Sequence, residues 1–201
     1  MKKLHYFSAM VITVFTLFHL SNHLTALHSI ATHIEVNRLF RLVYRNPLIE
    51  TTLMLCVAFQ IVSGLLLWRK GKEKTMNFFE KLQRWSGLYL SLFLLGHPIA
   101  VWAGRLWLHL DTNFYFGAMV LNVFPYLILF FIYYSLAIFF FFSHLAAVHY
   151  QKMQQYVSEP RAKAQSYSIL ALALGITFLI FYAFTGGFQG IEIPTEYKYL
   201  P

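Results

Sequence analysis

The chain has 201 residues, 58% of them hydrophobic and 12% charged, with 19% aromatics and a formal net charge of +8. An ordinary soluble domain is about 45–50% apolar and about 25% charged, so this composition excludes a water-soluble fold and makes lipid the solvent. The basic surplus lies in short loops between apolar runs, where it sets topology and meets lipid headgroups, so nucleic acid is excluded as the partner.

The first predicted span covers about residues 6–27, after Met1-Lys2-Lys3, and carries His19 and His23 at its far end. No small-x-small cleavage site follows it, so it reads as a retained helix and not as a signal peptide. An amphipathic segment over about 30–45 comes next, with Arg38, Arg41 and Arg45 at i, i+3 and i+7 on one helical face. It reads as a helix lying at the membrane interface. Two readings stand for its arginines, contact with headgroup phosphates or pairing with anionic groups of a bound cofactor. Further spans are predicted over about 49–68, 82–103, 124–147 and 167–184. Each can cross a hydrocarbon core of about 30 Å at 1.5 Å per residue. The expectation is an all-α polytopic bundle of about five transmembrane helices, a single domain over residues 1–201.

Loop charges orient it. Lys2 and Lys3, then Arg69, Lys70, Lys72, Lys74 and Lys81, then Lys152, Arg161 and Lys163 all fall on one side. The positive-inside rule puts that side, with the N-terminus, in the cytoplasm and the C-terminus outside. The lone Cys56 lies within an apolar run and cannot form an intrachain disulfide.

Ionisable and ligand-type residues inside a membrane are costly and mark function by default. Here they are His19 and His23, Gln60, His97 and His144. Two spans repeat one pattern. Ser8 is followed eleven residues later by His19, and Ser86 eleven residues later by His97, with Phe15 and Phe93 each four before the histidine. Eleven residues are almost three turns, so each Ser and His share a stripe. Both spans run the same way, so His19 and His97 lie at similar depth, as two axial imidazoles of a haem would. A pair of unrelated histidines hydrogen-bonded within the bundle is the plainer reading.

At Leu82-Gln83-Arg84-Trp85-Ser86-Gly87 and His97 the chain resembles the cytochrome b membrane-anchor subunits of succinate dehydrogenases and fumarate reductases, in their single-chain, five-helix form. That family opens a helix with Gln/His-Arg-x-Ser/Thr-Gly and places a ligand His about ten residues after the Gly. The resemblance implies one haem b held by His19 and His97, with His23 or His144 as alternative ligands. It also implies quinone contact at Ser86 and Arg84, and flavoprotein and iron–sulfur partners on the cytoplasmic face. Gln60 stands where the family has the ligand of a second, inner haem, and Phe141 stands at its opposite ligand, so a mono-haem form is expected. The chain lacks any dinucleotide fingerprint or cysteine cluster, so it is not a complete enzyme alone. It would carry electrons between quinone and a partner, in a bacterial inner membrane or an organelle membrane. A second resemblance, to fungal mitochondrial outer-membrane adaptors, implies an adaptor or assembly protein without a dehydrogenase.

Overall fold

A computed structural model describes residues 2–70 and 76–198. The elements are α1 (Lys2–Thr25), α2 (Ile30–Tyr44), α3 (Pro47–Lys70), α4 (Phe78–Leu106), α5 (Phe114–Asn122), α6 (Tyr126–Met153) and α7 (Glu159–Phe184). A 3-10 turn, Thr195–Tyr197, follows, and there is no strand among the described residues. The expected all-α class therefore holds. Five helices, α1, α3, α4, α6 and α7, are long and apolar enough to cross a membrane. Their outward faces are apolar too, as with Phe7 and Val14 of α1, Leu55 of α3 and Phe178 of α7. A helix apolar all round suits a lipid environment, and the chain is an integral membrane protein.

The observed spans run past the expected ones, because charged and polar ends were trimmed from the apolar runs. α4 starts four residues before Leu82, where Asn77 and Glu80 form a reciprocal capping box. α7 starts eight residues before Tyr167, with Pro160 in its first turn and a Glu159–Lys163 pair on its surface. The amphipathic segment is α2, capped by Ser29, whose hydroxyl accepts from the Thr32 N–H. α5 was not foreseen. Its nine residues are far too short to span, yet Phe114, Ala118 and Met119 are fully buried.

The spans alternate in direction and close into a ring. α1 meets α3, α3 meets α4, α4 meets α6, α6 meets α7, and α7 returns to α1. Small residues let α6 and α7 approach closely, among them Ala146, Ala147 and Ser143 on one and Ala162, Ser166 and Ala173 on the other. At the N-terminal end of the bundle Gln151 donates to Gln83, joining α6 to α4. At the far end Arg105 pairs with Glu50 and Arg41 with Asp111. The glycines after α7 make a turn. Gly186, Gly187 and Gly190 all have positive φ, and the reversal brings the Ile191 N–H onto Asn122 Oδ1. Of the basic loop between α3 and α4, Lys72 and Lys74 lie outside the described residues.

Candidate functional site

Interiors of folded proteins are close-packed, but the ring of spans lines a partly open cavity of 1630 Å³. Ordinary ligand pockets measure about 300–1,000 Å³. The cavity reaches from His5 and Lys152 near the N-terminal end to Arg45, Glu50 and Arg105 at the far end.

Four histidines gather in its far half. His19 and His97 have ring centroids 6.1 Å apart, with planes inclined at 65°. Each is backed by the phenylalanine four residues before it. Phe15 stacks on His19 and Phe93 on His97, both at 14° between planes. The two sequence repeats thus become one local geometry, used twice on facing helices. His19 Nε2 lies 3.1 Å from His23 Nε2, and His23 Nδ1 lies 3.2 Å from His33 Nε2. His33, the fourth, comes from α2, where it is 1% exposed. Asn22 Nδ2 donates to its Nε2, His23 stacks on it, and Phe114 and Phe184 meet it in T-shaped contacts. Sequence reading took α2 for an interfacial helix and missed His33. The available cue was its place on the side of the segment away from Leu39 and Leu42, which are exposed.

His144 belongs to a different arrangement, nearer the N-terminal end. Its Nδ1 lies 3.1 Å from Ser86 Oγ on α4. Ser86 is fully buried and gives its own proton to the Gln83 carbonyl. Across the cavity His5 repeats this. Its Nδ1 lies 2.7 Å from Ser63 Oγ on α3, and Ser63 donates to the Phe59 carbonyl. Each imidazole also lies over the glycine after its serine, His5 beside Gly64 and His144 beside Gly87.

Gln60 is a clamp between helices. Its Nε2 donates to the His5 carbonyl and to Ser8 Oγ, tying α3 to α1. Phe141 lines the cavity. Of the Gln83–Gly87 motif, Gln83, Arg84 and Gly87 line the cavity, whereas Ser86 is 0% exposed and donates to the Gln83 carbonyl. Arg84 holds its guanidinium 5.0 Å over the Trp68 ring.

Among the described residues no group of three or more His, Cys, Asp or Glu side chains has the geometry to chelate a metal ion directly. The chain matches no family model, and no curated protein or solved structure is significantly similar to it.

Proposed function

We propose that this protein is a haem b-binding membrane electron carrier, with His19 and His97 as axial ligands. The observation that carries the reading is their spacing. Two imidazoles on one metal, with metal–nitrogen bonds of about 2.0 Å and ring half-widths of about 1.1 Å, have centroids roughly 6.2 Å apart. The separation here is 6.1 Å. The cavity beside the pair has the volume a porphyrin needs, and Phe15 and Phe93 hold the two rings in place. His23 has both nitrogens engaged, by His19 and His33, which favours His19 as the ligand on α1. Ligation by His19 exchanges its contact with His23 for the metal.

The bound group would supply one-electron chemistry. The chain's own part is to keep both imidazoles neutral in an apolar interior, fix their planes and exclude bulk water. By resemblance, electrons would pass between a quinone and a flavoprotein with iron–sulfur centres, docked at the end that carries Arg69, Lys70 and Lys81. One haem per chain is expected, because Gln60 clamps helices and Phe141 cannot ligate.

The test is a dithionite-reduced minus oxidised absorption spectrum of the detergent-purified protein, with haem-to-protein stoichiometry. A sharp low-spin b-type spectrum near one haem per chain supports the reading. No haem signal after expression with ample haem supply removes it.

A further inference from the structure

The far mouth of the cavity carries an unbalanced cation. Arg41 and Arg45 come from the end of α2, Arg105 from the last turn of α4, Glu50 from the first turn of α3, and Asp111 and Thr112 from the segment before α5. Each carboxylate is already taken, Glu50 by Arg105 at 2.6 Å and Asp111 by Arg41. Arg45 is left with a hydroxyl, donating from Nη2 to Thr112 Oγ1 at 3.0 Å. No carboxylate pairs with it among the described residues. Yet Arg45 is half-buried and lines the cavity, as do Glu50, Arg105 and Thr112.

A guanidinium does not give up its proton in a protein. Half-buried and beside two further arginines, it is held below its ordinary pKa by burial first and by Arg41 and Arg105 next. Such a group requires an anion, and its planar fork matches a carboxylate. The third arginine of α2 shows the contrast. Arg38 faces solvent and is neutralised by Glu35 on its own helix, 2.7 Å away. The three arginines at helical spacing therefore have three fates: Arg38 and Arg41 each pair with a carboxylate, while Arg45 lines the cavity with a hydroxyl as its hydrogen-bond partner and feels the Asp111 charge without forming an ion pair with it.

We propose that Arg45 is the carboxylate-binding residue of the cavity and anchors the acidic edge of its occupant at this end. This rests on the haem reading above, since haem b carries two propionates on one edge. The reach is right. Arg105, whose charge acts on Arg45, lies eight residues beyond His97 on α4, about 12 Å along the axis. A ligand held at His97 with its acidic edge outward meets the arginines there.

The experiment titrates full-length protein, made under haem limitation and held in neutral detergent, with haem and with haem dimethyl ester. Wild type should bind haem at least tenfold more tightly than the ester. Arg45→Gln should remove that preference and leave ester affinity unchanged, Arg45→Lys should keep part of it, and Arg38→Gln should keep all of it. Wild type that binds both alike would overturn the carboxylate site while leaving the haem reading intact. Equal weakening for both porphyrins in Arg45→Gln and Arg45→Lys would overturn it too. If Arg45→Gln keeps the preference but loses thermal stabilisation by added phosphatidylglycerol, the anion is a lipid phosphate and the proposal fails. Wild type that binds neither porphyrin overturns the haem reading and this site with it.

Discussion

His33 of α2 lies 3.2 Å from His23 of α1, so a helix that does not span the membrane reaches into the histidine cluster of helices that do. Burial, with His19 and Arg41 close by, pulls the His33 imidazole down to about 4. Between pH 6.5 and 4 the unfolded chain binds a proton at this position that the folded chain refuses. Stability is then full above 6.5 and declines as the pH falls toward 4, by at most about 3 kcal/mol. The thermal midpoint in detergent should drop between pH 7.5 and 5, and the drop should be smaller in His33→Gln. Identical drops in both proteins would refute this role for His33.

The ligand assignment separates neighbours one turn apart. His97→Ala and His19→Ala should each lose the low-spin spectrum and most of the bound haem. His23→Ala should keep it. Haem content by pyridine haemochromogen decides the matter, and loss in His23→Ala with retention in His19→Ala would move the ligand along by one turn.

The single-haem expectation meets its strongest challenge in His5 and His144, two imidazoles that line the cavity from α1 and α6. The double variant His5→Ala/His144→Ala should leave stoichiometry at about one haem per chain. A fall from two to one would show that this pair ligates as well, in place of the partners that Gln60 and Phe141 cannot provide.

Gly104 of α4 is buried against α5, and a Cβ built there would stand 2.5 Å from Phe116 Cε2. Gly104→Ala must push that ring aside, at a cost of about 1–3 kcal/mol for overpacking. Thermal unfolding should show a lowered midpoint. Gly175→Ala, with nothing within 4 Å, is the control and should be neutral or slightly stabilising.

The five spans and the depth match of His19 with His97 were legible because lipid imposes long apolar runs and because a residue's position along a helix sets its height. The Phe–His stacking followed from the same four-residue spacing. Other features were not legible, for identifiable reasons. α5 is too short to stand out as a span, and its apolar residues are explained only by packing under α6 and α7. His33 sits in a segment whose arginines dominate its reading. Ser86 looked available because a motif says nothing about where a hydroxyl proton goes, and Gln83 takes it. Gln60 could be read as a lost ligand, but its bonds to His5 and Ser8 needed the partner helix.

The way the spans are joined has a consequence for where the bundle is stiff. The tightest packing is of α6 with α7 and of α4 with α6, on one side of the ring. On the other side α1 and α3 add polar clasps to their packing, Gln60 with Ser8 and with the His5 carbonyl. The wall that carries His5 and His19 is thus fixed in register by hydrogen bonds, which are directional, as well as by apolar contact, which is not.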